Sequence, residues 1–328
     1  MRRLLALATV IATFVVLLSY VQRAPASEPL DDDFTVTTAD AIVAQAAAEK
    51  FDSNRAWEHL RQLVSIGPRP AGSAAIRQTR AYITRQIAAM GLTVQEQPFT
   101  AETPQGKLEM VNLVVRLAGK RPEKILITGH YDTKFFRDQV FVGANDGGSS
   151  GAFLIELARV LKDRPREWTY ELVWFDGEEA FCFNWDECGK PDSPDNTYGS
   201  RFYVRQAQES KALATLKAMI LVDMIGDRDL LIKREQNSTT WLKDIIWAAA
   251  KRAGHGGTFV DVETDITDDH IPFLKAGVPA VDIIDLEYPA WHHTSGTDTI
   301  DKVSARSLQI VGDVLLAALP DIEKRLVK

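Results

Sequence analysis

Four short runs dominated by apolar residues, at 124–128, 170–175, 219–224 and 279–284, constrain this chain more than any other feature. None shows the in–out alternation of a half-wetted strand. A strand that is apolar on both faces has to be covered on both faces, which is the condition of a central strand in a parallel sheet. Segments with helical spacing lie between and around these runs, at 39–50, 54–65, 74–90, 151–161, 239–253, 272–276 and 304–319. Asn54 or Ser53 would cap the second helix, and Gly67-Pro68-Arg69-Pro70 would stop it. Residues 93–99 alternate and read as a half-buried strand, and 110–117 as a further one. Strand–helix alternation on this scale predicts an α/β three-layer sandwich, with a central mixed, mostly parallel β-sheet flanked by helices.

The ends of the apolar runs carry the chemistry. The run 170–175 leads through Asp176-Gly177 into the adjacent pair Glu178-Glu179. His130 and Asp132 follow the run 124–128, Asp223 lies at the end of 219–222, Asp285 follows 279–284, and Asp146 sits among Gly143, Gly147 and Gly148 before a helix start. In open α/β sheets ligands collect beyond the carboxyl ends of strands, so these residues are expected to converge on one site. An adjacent carboxylate pair can divide its work, one member binding a metal while the other moves protons. Carboxylate and imidazole donors without a thiolate cluster suit zinc in an open, catalytic site. Taken singly, each is weak evidence, since an Asp after a strand is most often a turn former.

Length and composition set the frame. The 328 residues are 45% hydrophobic and 25% charged, enough for one large α/β domain, expected at 38–328 after a flexible leader at 27–37. Residues 1–26 read as a signal peptide: basic Met1-Arg2-Arg3, an apolar stretch at 4–19, and Ala24-Pro25-Ala26 as a cleavage site. A retained anchor is the alternative, although the stretch falls short of the ~20 residues a span needs. Cleavage would remove Arg2, Arg3 and Arg23 and take the formal charge from −7 to −10. An acidic chain without basic tracts is poorly suited to nucleic acid or to an anionic membrane. A secreted or periplasmic protein is expected, without a membrane segment in its mature form, and a monomer. Cys182 and Cys188 form a small-loop disulfide or remain free thiols; spacing alone leaves both open. They lie in a polar segment at 182–197, rich in Asp, Asn and Pro, that reads as a long functional loop.

Six stretches in order, Gly129-His130-Tyr131-Asp132-Thr133-Lys134, Gly143-Ala144-Asn145-Asp146, Asp176-Gly177-Glu178-Glu179-Ala180-Phe181, Leu221-Val222-Asp223-Met224-Ile225-Gly226, Asp268-Asp269-His270-Ile271-Pro272-Phe273-Leu274 and Trp291-His292-His293-Thr294, resemble the zinc-dependent exopeptidase superfamily. Within it the resemblance is to the animal-type glutaminyl-peptide cyclotransferases, the glutaminyl cyclases. It spans about residues 51–319 and implies a phosphorylase/hydrolase-like fold and one zinc. By position, the resemblance gives Asp146, Glu179 and His293 as ligands, with His292 the alternative third ligand. It gives Glu178 as proton shuttle, Asp223 and Asp268 as the acidic network beside it, and Trp185 as a wall of the substrate pocket. Trp291, in a polar loop beside the last ligand, is a second candidate for that wall, whereas Trp174, Trp241 and Trp247 have core contexts.

Two departures bear on this assignment. Asp282 stands where the animal cyclases carry a histidine, and Asn145-Asp146-Gly147-Gly148-Ser149 is equally like the aminopeptidase pattern. The implied reaction closes an N-terminal glutamine on itself, releasing ammonia and leaving pyroglutamate on a peptide. The alternative is a di-zinc aminopeptidase, with Asp146 bridging two ions and His130 and Asp223 completing the second.

Overall fold

The computed structural model describes residues 49–287 and 296–327. The signal peptide, the leader, most of the helix expected at 39–50, and Trp291, His292 and His293 lie outside the described residues.

Helix α1 (Ser53–Ile66) is capped by Asp52, one residue earlier than the sequence suggested: its carboxylate accepts from Asn54 N and Arg55 N. Either neighbour could have served chemically, but Asp52 adds a negative charge at the helix N-terminus. Helix α2 (Ala74–Ala89) starts on Ser73, whose hydroxyl accepts from Ile76 N. A hairpin of β1 (Val94–Thr103) and β2 (Gly106–Leu117) follows, then β3 (Arg121–His130), α3 (Gly148–Leu161) and β4 (Trp168–Phe175). The two-residue strands β5 (Gly189–Lys190) and β6 (Ser193–Pro194) form a small hairpin ahead of α4 (Tyr198–Glu209). Then come β7 (Leu216–Asp223), β8 (Ile232–Glu235), α5 (Thr240–Arg252), β9 (Phe259–Thr264), α6 (His270–Lys275), β10 (Ala280–Ile284) and α7 (Ala305–Val327).

The central sheet runs β1-β2-β4-β3-β7-β10. The outer pairs β1–β2 and β2–β4 are antiparallel, and β4–β3, β3–β7 and β7–β10 are parallel. Alternate residues of these strands feed two cores. Ile125, Ile127, Leu172, Trp174, Ile220, Val222, Val281 and Ile283 pack with α1, α2, α3, α5 and α7. Leu126, Val173, Phe175, Met219, Leu221 and Ala280 pack with Tyr203 and Val204 of α4 and Phe273 of α6. The period of two in a strand thus produces the three layers, and the expected fold class holds.

Helix α7 runs past the expected stop at 319 and carries Pro320 within it. Pro320 is exposed, so the missing N–H bond and the ring are accommodated on the solvent side. Strands β8 and β9 form a separate parallel pair that the apolar pattern did not flag, because Ile-Lys-Arg-Glu and Phe-Val-Asp-Val-Glu-Thr are largely polar.

His59 on α1 lies far from the strand ends in sequence and contacts the Tyr82 hydroxyl through Nδ1 at 2.8 Å. Burial, with a smaller contribution from Arg55, lowers its pKa to about 4. A histidine that resists protonation only when folded costs stability as pH falls through the window between ~6.5 and 4, and nothing above it. Thermal melts of wild type and His59→Gln are therefore expected to diverge as pH drops from 6.5 to 4, the wild type losing more. Parallel pH profiles would show that His59 is not the titrating group.

Candidate active site

The carboxyl ends of β3, β4 and β7 bring His130, the Glu178-Glu179 pair and Asp223 to one edge of the sheet; His130 and Phe175 are register partners. Asp146 arrives from the loop before α3, whose cap Gly147 has φ +71°. A Cβ at Gly147 would lie 2.2 Å from the Asp132 carbonyl oxygen and 3.0 Å from the His130 ring, so only glycine lets this loop press against both.

His130 is buried at the centre. Its Nε2 is 3.0 Å from Asp146 Oδ1 and 3.0 Å from Asp223 Oδ1. Its Nδ1 faces Asp132 Oδ1 at 3.4 Å and Glu178 Oε2 at 3.6 Å. Asp132 also accepts from Glu178 N at 3.2 Å and Glu179 N at 3.4 Å, so one carboxylate orients the imidazole and the glutamate pair together. Two donor sets result, His130–Asp146–Asp223 and Asp146–Glu178–Glu179, each with its ligand atoms within 4.8 Å of one another and with Asp146 common to both. The donors are imidazole and carboxylate oxygen, all buried, and their mutual repulsion calls for a cation. This set fits zinc.

Electrostatics agree. Burial pushes the Glu178 carboxyl well above the usual range, and nearby Asp268, Glu179 and Asp269 add to it while His130 opposes. Burial alone would depress His130, but Glu178, Asp223, Asp132 and Asp146 outweigh it and hold the imidazole well above its ordinary value. Burial, then Asp223, raises Asp268 to about 7. A dication in the cluster would reverse these directions.

Beside the cluster opens a cavity of about 310 Å³, lined by Asp146, Glu178, Glu179, Trp185, Asp223 and Asp268 among others. Asp146, Glu178, Glu179, Trp185, Asp223 and Asp268 therefore all border one space. Trp185 is half-buried, and its indole Nε1 has no hydrogen-bond partner among the described residues. Its loop is tied back twice: Cys182 and Cys188 are disulfide-bonded, which settles the open alternative, and Asn196 Nδ2 donates to Trp185 O at 3.1 Å.

Asp285 departs from the expectation that it joins the site. Its carboxylate accepts from Leu231 N at 2.8 Å and Glu287 N at 2.9 Å, bracing the chain after β10. Asp282 is fully buried on β10, with His270 Nδ1 3.7 Å from its Oδ2 and Glu235 on the other nitrogen of that ring at 3.1 Å.

Sequence reasoning passed over Arg69. It was read only as part of a helix stop, yet it is fully buried and donates to Tyr131 O, Val142 O and Gly143 O at 2.9, 2.6 and 2.8 Å. Burial lowers it to about 10, against the pull of Asp298, Asp132, Asp146 and Glu179. Lys134, buried on Ala180 O and Cys182 O at 2.7 and 2.9 Å, is a second cation under the acidic floor. Asp298, also unpredicted, accepts from Asn145 N and Asp146 N at 2.7 and 2.9 Å and so aims the Asp146 loop.

A parallel-cored sandwich with acids and imidazole gathered at strand ends defines the exopeptidase class of α/β protein. Residues 112–319 match peptidase family M28, and the chain belongs to that family. Its relatives include glutaminyl cyclases. A glutaminyl cyclase from an Acidobacteriales bacterium is 37% identical, with 93% of this chain and 100% of that one covered and a TM-score of 0.78. The mouse glutaminyl-peptide cyclotransferase-like protein is 29% identical over 283 residues, 76% of this chain and 71% of its own. A Zn-dependent exopeptidase from Parabacteroides distasonis, 24% identical, covers 82% of this chain and 98% of its own with a TM-score of 0.74, a likeness of fold. Within the M28 family the chain groups with the glutaminyl cyclases, as its motifs suggested.

Proposed function

We propose that this chain is a zinc-dependent glutaminyl-peptide cyclotransferase, closing the N-terminal glutamine of a peptide into pyroglutamate with release of ammonia. The observation that carries this reading is the placing of the buried Glu178 carboxyl in the same 310 Å³ cavity as Asp146 and Glu179. Asp146 and Glu179 would hold the ion, with His293 or His292 from outside the described residues as third ligand. The bound zinc supplies Lewis acidity toward the γ-carbonyl oxygen.

The remaining work falls to the chain itself. An N-terminal amine has a pKa of about 7.7–8.0, so it gives up a proton readily near neutral pH. Glu178 accepts that proton as the amine attacks the side-chain amide, and returns it to the nitrogen that leaves. Acid–base help of this kind is worth about 10²–10⁴-fold. Asp268, whose charge acts on Glu178, and Asp223, whose charge acts on Asp268, form an acidic network beside it that can share a proton. Trp185 covers the cavity and holds the glutamine in a cyclisable pose, the source of a proximity gain.

The di-zinc aminopeptidase reading retains one specific support, the 3.0 Å approach of His130 Nε2 to both Asp146 and Asp223. Mass spectrometry of a Gln-initiated and a Leu-initiated peptide after incubation with zinc-loaded protein separates the two. Loss of one ammonia from the first with the second intact is the expected result. Release of free leucine, together with two zinc ions per chain, would replace the cyclase with the peptidase.

Export is part of the same proposal. The leader-like residues 1–26 and the Cys182–Cys188 bridge both suit an oxidising compartment. Among the described residues no helix is long and apolar enough to cross a membrane.

A further inference from the structure

A peptide whose first residue fills the acidic cavity must lead its second and later residues out along the surface. The 310 Å³ cavity has a neighbour of about 490 Å³, and the two share Asp186, Thr267 and Asp268 in their walls. The larger space lies between the disulfide loop and α6. Lys190, Arg201 and Lys275 contribute to it from different elements: β5, α4 and the last turn of α6.

Its wall is rigidly held. Cys188 is bonded to Cys182 immediately before β5, and Lys190 pairs with Ser193 across the β5–β6 hairpin. Cys182 N and the Tyr198 hydroxyl both donate to Asp195 at 2.8 and 2.6 Å, which pins the return of the hairpin. Arg201 donates to Pro194 O and Asn196 O, each at 2.8 Å, and lies 4.8 Å over the Tyr198 ring. Arg201 is therefore occupied in fastening the loop. Lys190 and Lys275 are exposed and have no ion-pair partner among the described residues. In a chain of net charge −7, two uncommitted ammonium groups on facing elements beside the acid cluster are locally out of character. Of the three carboxylates in this wall, Asp186 and the deeper Asp268 stand on the side shared with the first cavity, and the exposed Asp192 lies in the turn of the β5–β6 hairpin beside Lys190.

We propose that this second cavity is the subsite for the residues that follow the N-terminal glutamine, and that Lys190 and Lys275 select an acidic side chain there. The inference rests on the cyclase reading. Exposed charge pairs are individually weak and salt-screened, so the preference is a matter of a few-fold.

The test uses zinc-loaded enzyme and amidated tetrapeptides beginning with Gln, carrying Glu at the second, third or fourth position in an otherwise Ala background. One Glu position is expected to raise kcat/KM about three- to tenfold over the all-Ala peptide, through KM. The gain should vanish in the Lys190→Ala/Lys275→Ala double variant, whose rate on the all-Ala peptide stays at the wild-type value. Equal rates for all peptides, or a Glu preference that survives the double variant, would overturn the subsite. With a matching set carrying Phe in place of Glu, a preference for Phe that Phe136→Ala abolishes would do so as well, because it would route the chain over the aromatic groove formed by Phe136, Phe181 and Phe183. Calorimetric binding of the same peptides in a Glu178→Gln background, with and without the two lysine substitutions, gives the ranking with turnover suppressed. A wrong reaction assignment and a wrong subsite thus give different results.

Discussion

Glu178→Gln is expected to lower kcat on a Gln-initiated peptide by about 10²–10⁴-fold while leaving zinc content close to wild type. The substitution keeps the volume and one carbonyl oxygen in a fully enclosed position, so the cavity survives. What disappears is the group that takes the amine's proton and hands it to ammonia. Glu178 sits 3.6 Å from His130 and is held by Asp132 through its own backbone, hence its side chain is not needed to assemble the neighbours. Metal analysis alongside steady-state kinetics decides the point. A variant that loses its zinc would make Glu178 a ligand, and Glu179 would inherit the proton-transfer role.

Replacing Arg69 with Met should cost about 3–5 kcal/mol of stability, the range for removing one partner from a buried charged network. The methionine fills much of the space but leaves three backbone carbonyls without their donor. It also withdraws a positive charge that Asp298, Asp132, Asp146 and Glu179 share. Denaturant unfolding of the two proteins measures the difference, and zinc should recover part of it by restoring positive charge. A change within a few tenths of a kcal/mol would mean that water and local rearrangement satisfy those carbonyls instead.

The legible part of the molecule was the part where one physical requirement dominates. Residues 124–128 and 170–175 have apolar side chains on both faces, which only a covered central strand tolerates, and they became β3 and β4. The same runs gave the site its position, since Glu178, Asp146 and Asp223 follow from strand ends and a glycine-flanked turn, whereas Asp268 came only through the family resemblance. Elements stabilised by mixed needs were harder to see. Strands β8 and β9 are polar on much of their surface, and α4 begins Tyr-Gly-Ser-Arg, which reads as loop. Asp285 was misplaced because an aspartate after a strand has the same sequence signature whether it faces a ligand or caps two backbone amides. Arg69 left no signal at all: its neighbours are carbonyl groups, and carbonyls are present at every residue.

The parallel order of β4, β3, β7 and β10 has an implication for how the protein comes into being. Apart from the adjacent glutamates, the donors at the strand ends belong to segments that meet only when strands distant along the chain are aligned, so no short fragment of the polypeptide can assemble them. An ion at that edge would arrive as the last component. It would lock a finished architecture rather than seed it, and its scarcity would be felt as weakened folding as well as missing chemistry.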